Sequence, residues 1–267
     1  MALESFSPAV LVSLRFLLSG TIIAAAVWRL GYRFPRGREF WQTAGCGLIV
    51  LGIGTGCLVL SETLIPSSMA ALFITLSPLW FSGIESLVPG GEKFRPAVLG
   101  GLLTGLAGVA LLVAPDLMAR GFHGAVWQGF LILQLGCLGW SLGSILQKRM
   151  KSGAHPFAIG AVQQLAAGVA FIIPALLEPG RMAEFSFKGT GALLYLVTFG
   201  SIIGYSSYVY ALERLPVSLV SLYTYVNPLV AAALGWLFYR EPFGWMETLA
   251  MLIIFLGVWL VKRYSRH

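Results

Sequence analysis

Charge is scarce in this sequence. Only 11 % of its 267 residues are Asp, Glu, Lys or Arg, against 57 % apolar, where a soluble globular domain carries about 25 % charged residues. Water would not tolerate such a surface, so most of it must face lipid. Cysteine is nearly absent. Cys46, Cys57 and Cys137 all fall inside apolar runs, and the first two sit on one expected helix, too far apart along it to bridge. No disulfide framework or metal site is implied, and all three read as small apolar residues. Histidine is limited to His123, His155 and His267, in loops or at the terminus. There is no HExxH, no phosphate-cradling Gly-rich loop and no triad-like set. A membrane-embedded enzyme would need clustered His, Asp or Glu at span ends, and an ATP-driven pump a nucleotide site; neither is on offer, and the expectation is a protein that is not an enzyme. Met1 to Ser7 lack the basic start of a cleavable signal peptide.

Long apolar runs are what the sequence has instead. A helix crosses a bilayer with roughly 20 apolar residues, and nine runs qualify, at 8–28, 41–61, 68–88, 96–114, 126–147, 156–176, 190–210, 217–238 and 245–262. The links are short and punctuated, as at Pro89-Gly90-Gly91 and Pro179-Gly180. The 32 glycines let helices approach closely, and Gly101-x-x-x-Gly105 and Gly139-x-x-x-Gly143 suit such crossings. The net charge of +7 belongs to loops between runs rather than to a nucleic-acid surface. If the loop with Arg29, Arg33, Arg36 and Arg38 is cytoplasmic, that side also receives Lys93, Arg95, Lys148, Arg149, Lys151, Arg214, Lys262, Arg263 and Arg266. The other side receives only Arg120, Arg181, Lys188 and Arg240. This bias predicts a cytoplasmic C-terminus.

The halves of the chain resemble each other. Pro8, Leu17 and Gly20 align with Pro156, Leu165 and Gly168. Pro66, Ser68, Leu72, Pro78 and Leu79 align with Pro216, Ser218, Leu222, Pro228 and Leu229. Glu92, Phe94, Leu103, Gly108 and Val109 align with Glu241, Phe243, Leu252, Gly257 and Val258. Matched spans run in opposite directions, which is the inverted-topology repeat of many secondary transporters. The span at 126–147 has no partner in the first half. The expected fold is therefore an all-α polytopic membrane protein of two inverted helical repeats, four plus five spans, at 7–114 and 126–262. A tenth span, paired with 126–147, is expected ahead of Met1.

The segments LSPLWFSGIESLVPGGEKFRPAVLGGLLTGLAGVALLV (76–113) and VNPLVAAALGWLFYREPFGWMETLAMLIIFLGVWLV (226–261) each carry a mid-span Pro, a Glu before a short turn and a Gly-Val near the end of the next helix. With the rest of the chain they resemble the drug/metabolite transporter superfamily, in its EamA-type branch. The resemblance implies two inverted five-helix repeats and a secondary transporter that exports or exchanges small metabolites, such as amino acids or amphipathic drugs. Here the first helix of that pattern has no counterpart among the nine runs, and the alternative is a non-transporting membrane interaction subunit or a truncated remnant of such a transporter.

Polar groups inside spans are costly and so are site candidates. Arg15, roughly 10 Å below the outer end of its span, has Gln163 as its repeat partner. It could hold a substrate carboxylate bidentately, snorkel outward or cap a neighbouring helix. Pro78 and Pro228 remove helix bonds at matched depths and free the carbonyls of Ile74 and Thr224, a pointer to a transporter site, although neighbouring side chains can satisfy such a kink. Tyr205 with Tyr208, Tyr223 with Asn227, and Trp140 with Ser144 pair on helix faces. Their apolar bodies with single polar handles suit a cavity for amphipathic solutes, and equally an interfacial belt. The expected substrate-binding set is Arg15, Trp140, Gln163, Tyr205, Tyr223 and Asn227. Glu62, Glu85, Glu92 and Glu241 lie at span ends, so coupling through a mid-membrane acid has no candidate. The expected partners are a small-molecule substrate and the lipid bilayer of an inner or plasma membrane, with no cofactor, no metal and no nucleic acid; a homodimer stays open.

Overall fold

The computed structural model describes residues 5–91, 93, 95–120, 124–150, 152–178, 187–227, 230 and 245–264. Among these residues every regular element is a helix. In chain order they are α1 (Pro8–Arg29), α2 (Arg38–Ser61), α3 (Ser67–Ile74), α4 (Ser77–Leu87), α5 (Pro96–Arg120), α6 (Gly124–Arg149), α7 (Pro156–Leu177), α8 (Phe187–Arg214), α9 (Val217–Val220) and α10 (Trp245–Tyr264). Residues 223–227 are also helical. The chain is an all-α, multi-pass membrane protein. By length and composition six described helices can cross a bilayer: α1, α2, 69–87 from α3 into α4, α6, α7 and α8; α5 contributes a shorter apolar stretch, Pro96–Leu111. Lipid offers no partner to a bare peptide group, which is why the spans are helical. Helices also lie over the expected spans at 96–114 and 245–262; the one expected at 217–238 is described only to 227 and at 230, and Pro228 lies outside the described residues.

Local chemistry sets the ends. α1 opens with Pro8 in its first turn, where a missing N–H costs nothing. It stops at Gly31, whose φ of 69° is the left-handed conformation that a glycine adopts cheaply. Tyr32 N–H donates to Val27 O (3.1 Å) and Gly31 N–H to Trp28 O (3.1 Å), a Schellman closure. Between α3 and α4 the helix breaks at Thr75-Leu76. Pro78 cannot donate to the Ile74 carbonyl, and the Thr75 hydroxyl turns back to Leu72 O. The segment after α9 breaks at Ser221-Leu222, a turn earlier than the position matching Thr75-Leu76.

Lipid tails are as apolar as leucine, so spans hold together by close packing and interhelical hydrogen bonds. Two antiparallel pairs show how. On α1 and α7, Gly20 lies against Leu165 and Gly168 against Leu17; a Cβ at either glycine would sit 2.9 Å from the leucine Cγ. On α5 and α10, Gly108 meets Ile254 while Gly257 meets Gly105. In both pairs the contacts exchange roles, as across a two-fold axis, and numbers rise on one helix as they fall on the other. This is the internal geometry of inverted repeats. Tyr225, fully buried, seals the α5 side by donating its hydroxyl to Leu102 O at 2.9 Å.

Candidate functional site

The crossing helices leave a cavity of about 780 Å³ between α1, α2, α4, α6, α8 and residues 219–227. Its walls are largely apolar, with Phe16, Leu51, Leu58, Leu133, Leu219 and Leu222 among them. Five of the six expected binding residues line it: Arg15, Trp140, Tyr205, Tyr223 and Asn227. Of the two prolines, Pro78 stands behind the wall, while its neighbour Ser77 and Ile74 reach the cavity.

Arg15 is the one charged side chain among the described lining residues. Its Nε donates to Ser201 Oγ at 2.7 Å, so the side chain turns into the bundle rather than along its own helix to the surface. Gly200 makes room: a Cβ there would lie 2.8 Å from Arg15 Nη2. The Arg15 carbonyl accepts from Ser19 Oγ at 2.8 Å, and that hydroxyl also contacts Gln164 Oε1. At the end of α2, burial pushes the Glu62 carboxyl up; the Ser67 hydroxyl and then the Arg15 charge pull it down.

The aromatic residues form one cluster. Trp140 meets the Tyr208 ring at 5.5 Å and the Tyr205 ring at 6.1 Å between centroids, and Tyr208 meets Tyr223 at 5.6 Å. These separations suit edge-to-face and offset pairs. Gln163 stands outside the cavity. Its Oε1 accepts from the Tyr205 hydroxyl at 2.8 Å and its Nε2 donates to Gln147 Oε1 at 2.8 Å, so it aims Tyr205 from behind. Tyr208 shares a hydrogen bond of 2.6 Å with Ser144 Oγ. Ser201 and Gln147 were not foreseen, because their roles come from helices brought together over long sequence distances. Tyr208 shares a helix face with Tyr205, and that spacing is the signal for it.

Two wall segments are π-helical, Leu48–Thr55 in α2 and Leu196–Tyr205 in α8. Their last residues are 150 apart, the interval that separates Pro66 from Pro216. Gly54 and Thr55 reach the cavity from one segment, Gly204 and Tyr205 from the other. A π-helical stretch leaves backbone groups out of the regular i to i−4 pattern, and such stretches are frequent at functional sites.

The basic ends of the helices are tied to one another. Phe81, Ile145, Leu212, Val217 and Val220 pack together beneath the aromatic cluster. Arg149 pairs with Glu85 at 3.2 Å and donates to Pro89 O at 2.7 Å. Lys148 donates to Leu212 O at 3.2 Å and to Leu215 O. Nearby, Glu39 Oε1 accepts from the backbone N–H of Gly153 (3.1 Å) and Ala154 (3.2 Å) and from Ser152 Oγ. His155 stacks on Tyr32 with ring centroids 4.0 Å apart. Burial first, and the Arg214 charge second, hold its imidazole below the ordinary histidine range. Among the described residues no group of three His, Cys, Asp or Glu is placed to hold a metal ion.

Comparison with known proteins gives one consistent match. The family model described as the EamA-like transporter family matches residues 1–114 and 127–263. The uncharacterized inner membrane transporter YedA of Escherichia coli (strain K12) is 32 % identical over 263 residues, 98 % of this chain and 83 % of that protein. A probable terminal-alkyne amino-acid exporter of Streptantibioticus cattleyicolor is 24 % identical over 277 residues, 98 % of this chain and 86 % of the exporter. A solved crystal structure, 22 % identical, superposes with a TM-score of 0.83 over 97 % of this chain and 88 % of its own.

Proposed function

This chain belongs to the EamA-like transporter family, and we propose that it is a secondary exporter or exchanger of small amphipathic metabolites bearing an anionic group, amino acids among them. The observation that carries this reading is the cavity of about 780 Å³ with Arg15 as its one charged side chain among the described lining residues. That volume falls in the range of small-molecule sites, about 300–1,000 Å³. The bond to Ser201 uses Arg15 Nε and leaves the paired Nη groups for a carboxylate fork. Trp140, Tyr205, Tyr208 and Tyr223 offer faces for the apolar part of the solute and hydroxyl or indole groups for its polar atoms. Asn227 adds an amide, and Gln163 acts through Tyr205. The name of the exporter relative supports the amino-acid class. No Asp or Glu lines the cavity among the described residues, which favours exchange or facilitated export over coupling through a buried acid.

We further propose that the repeats span 7–114 and 126–262, and that the C-terminus lies in the cytoplasm of an inner or plasma membrane, because 13 basic residues fall on that side against four on the other. The test of the transport reading is efflux of radiolabelled amino acids from reconstituted vesicles, with folding checked for each variant. Arg15→Ala and Tyr223→Ala should each lower the rate at least tenfold, a loss of about 1.4 kcal/mol or more. Arg15→Lys should not restore it, since lysine lacks the planar fork. If both alanine variants fold and transport at wild-type rates, the cavity is not the substrate site. If Arg15→Lys alone matches wild type, the bidentate role falls.

A further inference from the structure

The break between α3 and α4 leaves one backbone carbonyl without a donor. Leu72 O receives the Thr75 N–H at 3.0 Å and the Thr75 hydroxyl. Phe73 O receives the Leu76 N–H at 3.3 Å and Gln134 Nε2 at 3.2 Å. Gln134 Oε1 in turn accepts from Trp80 Nε1 at 2.9 Å, so one side chain of α6 grips both sides of the break. Ile74 O is the carbonyl left over. Pro78 stands where its helical donor belongs and has no N–H, and among the described residues no other group donates to it. Ile74 lines the cavity and ends α3, where aligned peptide dipoles leave partial negative charge. The repeat brings a second acceptor to the same chamber. Asn227 lies 150 residues after Ser77, and both line the cavity. The Asn227 side chain makes no hydrogen bond among the described residues.

These acceptors and Arg15 come from different walls. α1 packs on α7 and α8, whereas α3 packs on α5 and α6. Residues 223–227 are tied to α5 through the bond from Tyr225 to Leu102 O. The chamber is therefore polarised, with a guanidinium on one wall and neutral acceptors on another. An ammonium group has three donors and no acceptor, so it suits that second wall, while a carboxylate there would meet only acceptors. Tyr223, one turn before Asn227, also lines the cavity and offers a ring face to a cation.

Resting on the reading of this chamber as the substrate site, we propose that the α3–α4 break is its ammonium subsite, and that its solutes are amine-bearing carboxylates whose two charges stand several bonds apart, as in ω-amino and diamino acids. The carboxylate lies in the Arg15 fork. The ammonium donates to Ile74 O and Asn227 Oδ1 against the Tyr223 ring, and the aliphatic stem crosses the apolar chamber between them. A solute without the amine leaves these acceptors unpaired, which is the kind of loss by which a polar site discriminates. A solute with its amine beside the carboxylate does not reach both walls.

Equilibrium binding of tritiated ε-aminocaproate, norleucine and caproate, equal in carbon count, to the full chain in nanodiscs tests the proposal. ε-Aminocaproate should bind at least tenfold tighter than either of the others, a difference of about 1.4 kcal/mol or more. Pro78→Ala supplies the missing N–H and should bring the affinity ratio of ε-aminocaproate to caproate down to about one. Asn227→Leu, which removes the amide at similar size, should lower the same ratio at least threefold and serves where the proline variant does not fold. Caproate or norleucine binding as tightly as ε-aminocaproate overturns the proposal. So does an unchanged ratio in the folded variants, or a folded chain that binds none of the three. Arg15→Ala keeps the two readings apart. If it leaves both affinities unchanged while Pro78→Ala abolishes the ratio, the ammonium subsite stands and the carboxylate role of Arg15 falls.

Discussion

Alanine at Gly20 should loosen the α1–α7 crossing by an amount the structure sets. The added Cβ would lie 2.9 Å from Leu165 Cγ and 3.0 Å from the Leu165 backbone nitrogen. Optimal carbon contacts fall at about 3.5–4.0 Å, so the helices must part by roughly half an ångström or more. A rotamer change of Leu165 cannot relieve a clash with its own backbone. Overpacking of this kind costs about 1–3 kcal/mol; taking about 2 kcal/mol, the ratio of folded to unfolded protein falls about 30-fold. Gly168→Ala meets the mirrored obstacle, with Leu17 Cγ and N both at 2.9 Å. It should cost the same or up to about 1 kcal/mol more, because Ser13 Oγ donates to Gly168 O at 3.0 Å, while Ala161, the residue matching Ser13, has no hydroxyl to return. The double variant should cost less than the sum, since the first substitution has already parted the helices. The assay is reversible unfolding in mixed detergent micelles, followed by tryptophan fluorescence. A Gly20→Ala variant within about 0.5 kcal/mol of wild type beside a costly Gly168→Ala, or strict additivity in the double, would falsify the two-fold packing.

Three further outcomes are expected. The His155 imidazole lies below its ordinary value of 6.5, so the folded state favours the neutral ring; the stability it contributes is present above about pH 6.5 and is lost as pH falls through the folded value. Thermal melts between pH 7 and pH 5 should show that slope, and His155→Asn should flatten it; an unchanged slope refutes the assignment. Tyr225→Phe, which removes the hydroxyl bonded to Leu102 O at 2.9 Å, should cost about 0.5–1.5 kcal/mol without lowering transport, read by the same unfolding assay and by efflux. A compartment-specific reporter fused after Arg266 should be active only on the cytoplasmic side; activity only outside would reverse the proposed topology.

The all-α membrane fold was legible in the sequence because a bilayer allows few solutions. A span must be a helix that satisfies its own peptide groups, and its length is fixed by the hydrocarbon core. The repeat was legible as well, since Pro8, Leu17 and Gly20 against Pro156, Leu165 and Gly168 are a linear pattern that needs no coordinates. A charge or an aromatic group deep in an apolar run stands out for the same energetic reason, which is how Arg15, Trp140, Tyr205, Tyr223 and Asn227 could be named as candidates from their positions in the sequence. Tertiary structure decided which neighbours those groups meet. Only the docking of α8 on α1 gives Arg15 the Ser201 hydroxyl, and only the approach of α6 and α8 to α7 makes Gln163 a support for Tyr205 instead of a cavity wall. The π-helical turns at Leu48–Thr55 and Leu196–Tyr205 lie in ordinary apolar sequence, because a shift from i to i−4 into i to i−5 bonding leaves no mark on hydropathy. Each of these outcomes depends on a distance between residues far apart in the chain, and hydropathy and spacing along one strand of sequence carry no such distances.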